Sequence, residues 1–114
     1  MPKSVIYHNP RCTTSRKTLD LLRDNGVEPN VVQYLKMPPS RAQLVKMIRD
    51  AGIDVRTAVR KREALYDELS LADASDDELL DAMAEHPILI ERPFVVTPKG
   101  TRLARPIDAV REIL

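Results

Sequence analysis

The sequence predicts an α/β fold in which one mixed β-sheet is built from two halves of the chain, with a helical insert between them. Three observations lead to this prediction. Near the N-terminus, an apolar run, an amphipathic helix and a second apolar run predict a β-α-β unit. The middle of the chain shows helical patterns only, and the C-terminal section holds two apolar runs followed by a final helix.

The first half begins with a short strand over residues 5–7, where β-branched and aromatic side chains precede Asn9 and Pro10. A helix over residues 13–25 follows, and Gly26 stands at its expected C-terminal stop. A second strand is predicted over residues 31–35. Strand, helix and strand at this spacing form a β-α-β unit, which implies that the two strands are parallel, with a right-handed crossover.

Two capping boxes mark helices in the middle section, at residues 40–43 and 75–78. The first opens a helix that ends near Gly52, and the second opens a helix that stops at Pro87. Between them, residues 54–71 predict one or two further helical pieces.

The C-terminal section predicts strands over residues 94–97 and 101–104, joined by a turn. Pro106 fits the first turn of a last helix over residues 107–114. An order of β-α-β, helices and β-β-α around one mixed sheet is the thioredoxin-like, or glutaredoxin-like, arrangement. We therefore expect a single thioredoxin-like domain over residues 1–114.

Composition excludes several classes of function. Hydrophobic residues make up 43% of the chain and charged residues 31%, as in soluble globular domains. Aromatic residues are only 4% and the net charge is +1, so neither base stacking nor broad binding to a phosphate backbone is supported. No signal peptide or membrane span is recognisable. The expected protein is a cytoplasmic monomer that binds neither nucleic acid nor membrane.

Charge is distributed unevenly along the chain. Ten acidic residues and no Lys or Arg lie between residues 63 and 91. We expect this segment to form a solvated acidic face on one or two helices. All 18 basic residues lie outside the segment, so the surroundings of Cys12 are basic.

Cys12 is the single cysteine of the chain, which excludes an internal disulfide and a cysteine-rich zinc site. A zinc site built from Cys12, His8, His86 and a carboxylate is conceivable but has no motif spacing behind it, so no metal is expected.

The position of Cys12 predicts a reactive thiolate. It lies between the first strand and the first helix, where unpaired backbone N–H groups and the positive end of the helix dipole stabilise an anion. The same N–H groups form a cradle for an oxyanion. Small hydroxyl residues and Arg side chains surround this cradle, and we expect three of them, Thr13, Thr14 and Arg16, to bind a substrate oxyanion. Arg16 could instead pair with Asp20 on the helix surface.

Ser15 stands where dithiol thioredoxins and glutaredoxins carry their second cysteine. The chain therefore cannot store two electrons in an internal disulfide. A two-electron reduction at Cys12 requires a second thiol from outside.

The chain resembles the ArsC-type arsenate reductases of the glutathione- and glutaredoxin-linked class, and the resemblance runs nearly from end to end. The matching stretches are residues 7–12 with Ser15 and Arg16, residues 34–35 and 38–40, residues 55–56 and 60–61, residues 86–90 and 92–93, and residues 95–98, 100–102 and 105–106.

This resemblance implies roles for individual residues. It places the nucleophile at Cys12, identifies His8 and Ser15 as residues that lower the pKa of that thiol, and makes Pro93 the cis-proline that faces it. The three arginines around the oxyanion would be Arg60, Arg92 and Arg105. Two of these assignments have alternatives in the sequence itself, since Arg60 could be a solvated helix end and His8 a simple strand-end histidine.

The resemblance also implies an activity. Arsenate would be converted to arsenite through a thiol–arsenate adduct on Cys12, with glutathione as co-substrate, glutaredoxin as partner and no bound cofactor. Two alternatives remain at this point. One is a monothiol oxidoreductase that acts on glutathione mixed disulfides, and the other is an Spx-like redox adaptor without arsenate activity. Ser15 argues against a disulfide switch of the Spx type.

Overall fold

A four-stranded mixed β-sheet organises the first of two units in the computed structural model, which describes residues 4–114. The sheet order is β2-β1-β3-β4, where β1 is Val5–His8, β2 is Asn30–Gln33, β3 is Phe94–Thr97 and β4 is Gly100–Leu103. Strand β1 is parallel to β2 and antiparallel to β3, and β3 is antiparallel to β4. The mixed sheet predicted from the sequence is confirmed.

The core of this first unit lies on one face of the sheet. Ile6 of β1 and Val95 of β3 are register partners and are fully buried. Against them pack helix α1, Thr13–Asp24, and a C-terminal 3₁₀ helix, Ile107–Ile113. Burial of this apolar cluster attaches α1 to the sheet, and so sets the position of the first turn of α1.

The second unit, residues 38–91, is helical. It contains α2 (Arg41–Asp50), α3 (Val55–Ala58), α4 (Ala64–Glu68) and α5 (Asp76–Glu85), together with two 3₁₀ turns. Both predicted capping boxes are confirmed: the Ser40 and Ser75 hydroxyls accept from the N–H groups of Gln43 and Glu78. Helices α2 and α5 pack together through buried Leu, Met and Ile side chains.

Two elements differ from the sequence prediction by more than a one-residue shift of a boundary. Strand β2 ends at Gln33 and not at Leu35, because the chain turns there and the Gln33 carbonyl accepts from the N–H groups of both Lys36 and Met37. The last helix is 3₁₀ in type, with an i→i+3 bond from Ala109 N–H to the Pro106 carbonyl, and Pro106 precedes the helix instead of entering its first turn.

The acidic segment is largely the solvated face that was expected. Eight of its ten carboxylates are exposed. The other two, Glu63 and Glu91, are partly buried and form ion pairs with Arg60 in the same unit. Within residues 4–114, no helix combines the length and apolar character that a membrane span requires.

Arg56 joins three helical pieces of the second unit. Its guanidinium donates to the Tyr66 hydroxyl at 3.0 Å, to the Leu71 carbonyl at 3.1 Å and to the Ala74 carbonyl at 2.6 Å. We predict that Arg56→Ala lowers the free energy of unfolding by about 2–3 kcal/mol, because these partly buried acceptors lose a charged donor. Urea denaturation measures the change, and exposed Arg62→Ala is the control, with an effect below about 0.5 kcal/mol.

Candidate active site

The loop between β1 and α1 is a hydrogen-bonded turn over residues 9–12. The Cys12 N–H donates to the Asn9 carbonyl at 3.0 Å, and the Arg11 N–H donates to Oδ1 of Asn9 at 3.0 Å. Pro10 cannot continue the strand ladder, and the Asn9 side chain stabilises the turn. The loop thereby directs the chain from the end of β1 into the first turn of α1.

Cys12 is the N-cap residue of α1, with an extended backbone conformation. An N-cap side chain lies beside the unpaired N–H groups of the first turn. Burial opposes ionisation of the thiol, but the backbone N–H of Ser15, the Arg92 guanidinium and the backbone N–H of Thr14 together hold the pKa of Cys12 below its ordinary value. The lowered pKa agrees with what the helix N-terminus predicts, and the structure adds Arg92 as a cause.

Arg92 and Arg105 reach the sulfur from the C-terminal part of the chain. Arg92 lies two residues before the start of β3, is 7% exposed, and forms a side-chain hydrogen bond to Cys12. Nη2 of Arg105 lies 3.9 Å from the Cys12 sulfur, and its Nε donates to the Arg92 carbonyl at 3.0 Å. Arg105 therefore fixes the backbone of Arg92 and places its own guanidinium beside the sulfur.

The peptide bond between Arg92 and Pro93 is cis, as the resemblance implied. The bond between Arg105 and Pro106 is also cis, which was not expected from the sequence.

His8 and Ser15 form a buried pair, but their side chains do not bind the sulfur. Nδ1 of His8 lies 2.7 Å from Oγ of Ser15, and that hydroxyl also accepts from the Asn9 N–H at 3.0 Å. Burial, assisted by Arg23 and Arg16, lowers the pKa of His8 and favours the neutral ring, which can accept the Ser15 proton. This pair joins the end of β1 to the first turn of α1, and the Ser15 backbone N–H is the group that stabilises the thiolate.

The remaining predicted residues of the first turn differ in role. Thr14 contributes its backbone N–H to the thiolate. Thr13 is exposed, and its hydroxyl accepts from Nη2 of Arg16 at 3.3 Å. Nη1 of Arg16 also donates to the Pro10 carbonyl at 3.0 Å, so its guanidinium braces the loop and does not pair with Asp20. Substrate contacts from Thr13 and Arg16 remain predictions.

Arg60 belongs to the second unit, where it is not a solvated helix end. Its side chain is 17% exposed and lies 3.4 Å from a Glu63 carboxylate oxygen and 3.2 Å from a Glu91 carboxylate oxygen. These two carboxylates compensate its charge. A role for Arg60 in oxyanion binding remains a prediction from the family resemblance.

Two residues near the thiol were not assigned to the site from the sequence. Asn9 follows the last residue of β1, and Tyr34 follows the last residue of the parallel strand β2. Their position could have identified them, because functional side chains commonly lie at the carboxyl ends of parallel strands.

Metal ligation finds no support in the described part of the chain. No group of three or more His, Cys, Asp or Glu side chains among residues 4–114 is arranged to hold a metal ion. Cys12 is partly buried and free.

We predict that Arg92→Gln raises the pKa of Cys12, because the thiolate loses both a charged hydrogen-bond donor and a nearby positive charge. The increase in thiolate absorbance with pH then shifts to higher pH, and alkylation by iodoacetamide at neutral pH becomes slower. Arg11→Gln, which removes an exposed arginine next to Cys12 in the sequence, is the matched control and leaves the titration in place. An unchanged titration in Arg92→Gln contradicts the assignment.

Comparison with known proteins places this site in a family. The ArsC family model matches residues 7–113. An arsenate reductase of Rhizobium meliloti (strain 1021) is 60% identical over 112 residues, which cover 96% of this chain and 80% of the relative. An arsenate reductase of Escherichia coli (strain K12) is 54% identical over 116 residues, covering 100% of this chain and 82% of the relative.

The structural comparison agrees. The structure of an arsenate reductase from Vibrio cholerae superposes with a TM-score of 0.93 at 48% identity, covering 99% of this chain and 98% of the other. This match confirms the thioredoxin-like fold expected from the element order. Since the family model spans almost the whole chain and the motifs around Cys12, Arg92 and Arg105 lie within it, the chain belongs to the ArsC family.

Proposed function

We propose that this protein is an arsenate reductase that uses Cys12 as its nucleophile. The observation that carries the proposal is a thiol of lowered pKa at a helix N-terminus, with two guanidinium groups directed at its sulfur. Arsenate is a tetrahedral oxyanion, and Arg forks and helix N–H groups are the donors that suit it. The close relatives that carry the name arsenate reductase support the same substrate.

In the first step, the Cys12 thiolate attacks arsenic(V). An arsenic–sulfur bond forms, and one arsenate oxygen leaves as water after taking up protons. Negative charge on the remaining oxygens is stabilised by Arg92, Arg105 and the N–H groups of the first turn of α1. These donors are in place before the reaction and need no reorganisation, which is the condition for effective electrostatic catalysis.

In the second step, an external thiol must supply two electrons together with Cys12, since Ser15 replaces a second cysteine. Glutathione attacks the Cys12 sulfur, the arsenic–sulfur bond breaks, and its electron pair reduces arsenic from +5 to +3. Arsenite leaves, and a mixed disulfide between Cys12 and glutathione remains. Glutaredoxin then attacks the glutathione sulfur and releases the Cys12 thiolate. Overall, two thiols become one disulfide for each arsenate reduced.

The partners and setting of the reaction are part of the proposal. Glutathione as co-substrate, glutaredoxin as reductant, a monomeric protein and a cytoplasmic location remain predictions from the sequence. His8 and Ser15 act in this scheme by holding the loop and the first turn of α1 together, so that the Ser15 N–H faces the sulfur.

We predict that Cys12→Ser abolishes arsenate reduction in an assay with arsenate, glutathione, glutaredoxin and a coupled glutathione reductase. A serine hydroxyl neither ionises at neutral pH nor forms the disulfide that completes the electron balance. Arg11→Gln is the control and keeps wild-type turnover. Sustained reduction by Cys12→Ser, or wild-type protein that reduces mixed disulfides but never arsenate, would falsify the proposal.

We also predict that Arg105→Gln lowers kcat/KM for arsenate about 100- to 1,000-fold, because loss of one donor to an oxyanion in an enzyme site typically costs about 2.7–4 kcal/mol. Steady-state kinetics measure the effect, and circular dichroism checks that the fold is intact. A folded Arg105→Gln variant with wild-type kcat/KM contradicts a role for this guanidinium.

A further inference from the structure

Tyr34 lies in the same row of the sheet as the groups that surround the thiol. The β1–β2 ladder ends with the pair His8 and Gln33, so Tyr34 follows Gln33 at the level where Asn9 follows His8. On the other side of β1, Tyr7 pairs with Phe94 of the antiparallel strand β3. Two residues further along β1 therefore correspond to two residues earlier on the other chain segment, which places Arg92 level with Asn9. The ladders therefore align Tyr34, Asn9 and Arg92 across the end of the sheet, next to the loop that carries Cys12.

The hydroxyl of Tyr34 is buried without a hydrogen-bond partner. The residue is 1% exposed, and within residues 4–114 its phenol oxygen makes no hydrogen bond of good geometry, although Asn9 and Arg92 lie close enough to influence its pKa. A buried polar atom is nearly always paired, so an unpaired hydroxyl in this position needs an explanation. Its location beside a reactive thiol indicates that the missing partner is a ligand.

The neighbours of this hydroxyl are hydrogen-bond donors. The Arg92 guanidinium has no acceptor atom, and the Arg92 carbonyl already accepts from Arg105. Oδ1 of Asn9 accepts from the Arg11 N–H, which leaves the amide NH₂ of Asn9 as the group available to Tyr34. The Arg92 guanidinium cannot accept the phenol proton, and the Asn9 amide oxygen already accepts from Arg11, whereas an oxygen of an anion at Cys12 is a free acceptor.

We propose that the Tyr34 hydroxyl donates a hydrogen bond to an oxygen of the tetrahedral oxyanion bound at Cys12, and that Tyr34 is therefore a substrate-binding residue of this site. The inference rests on the proposed function and adds a neutral donor to the two arginines. Burial, partly offset by Arg92 and the Asn9 side chain, raises the pKa of Tyr34, so the phenol keeps its proton at neutral pH.

The test compares Tyr34→Phe with the wild-type protein, because this change removes the hydroxyl and keeps the ring. Sulfate serves as an unreactive tetrahedral probe, and its Kd is measured from its effect on the Cys12 thiolate titration. We expect Tyr34→Phe to weaken sulfate binding and to lower kcat/KM for arsenate about three- to tenfold, the range for one neutral hydrogen bond. The melting temperature without anion should stay equal or rise, since an unpaired buried hydroxyl is removed.

Tyr66→Phe is the matched control. Tyr66 is also buried, but its hydroxyl already accepts from Arg56 at 3.0 Å. This variant should have a lower melting temperature and an unchanged Kd for sulfate. A second readout is the near-ultraviolet absorption of tyrosine, which no tryptophan obscures because the chain has none. Sulfate should perturb this absorption in the wild-type protein and in Tyr66→Phe, but not in Tyr34→Phe.

Four results would overturn the proposal. Tyr34→Phe with a wild-type Kd for sulfate and wild-type kcat/KM means that the hydroxyl does not touch the oxyanion. A lower anion-free melting temperature in Tyr34→Phe, or a wild-type protein whose tyrosine absorption ignores sulfate, means that the hydroxyl is structural. If the wild-type protein binds neither sulfate nor arsenate, the proposed function fails together with the role of Tyr34. If the wild-type protein does bind these anions, the other results bear on Tyr34 alone.

Discussion

The stabilisation of a Cys12 thiolate by donors at the N-cap of α1, which lowers the pKa of the thiol, is the interaction on which the rest of the site depends. A partly buried thiolate is disfavoured by desolvation, and this is the largest single influence on its pKa. Three donors together outweigh this desolvation because all of them are directed at the Cys12 sulfur: the backbone N–H groups of Ser15 and Thr14 and the Arg92 guanidinium. The same donors that stabilise the thiolate suit the oxygens of an incoming anion, so one arrangement serves both the nucleophile and its substrate.

The sheet topology brings these donors together. Parallel pairing of β1 and β2 places the loop after β1 and the turn after β2 at the same edge, and antiparallel pairing of β3 brings Arg92 to that edge from the C-terminal part of the chain. Arg105 then bonds to the carbonyl of Arg92 and extends toward the sulfur. Arg92 and Arg105 thus reach Cys12 from about 80 to 95 positions further along the sequence. They do so because β1 and β2 end, and β3 begins, at the same edge of the sheet.

The chemistry follows from having a single cysteine. With Ser15 in place of a resolving cysteine, the protein can activate a substrate but cannot complete a two-electron reduction alone. Ser15 retains a structural role: its side chain binds His8 and the Asn9 N–H, and its backbone serves the thiolate. Because Ser15 is not a cysteine, the chain has no internal dithiol couple. Ser15 also positions the N-terminal end of α1, which lowers the pKa of Cys12.

Local pattern determined much of this protein. Periodicity and capping boxes located the helices and strands to within about two residues, and the position of Cys12 after a strand and before a helix was enough to predict its thiolate. Only the tertiary structure decided that β2 turns at Tyr34, that Arg60 is compensated by Glu63 and Glu91, and which atoms of Ser15 face the sulfur. Periodicity reports burial and local geometry, whereas these facts depend on contacts between distant segments and on side-chain direction, which no local sequence pattern encodes.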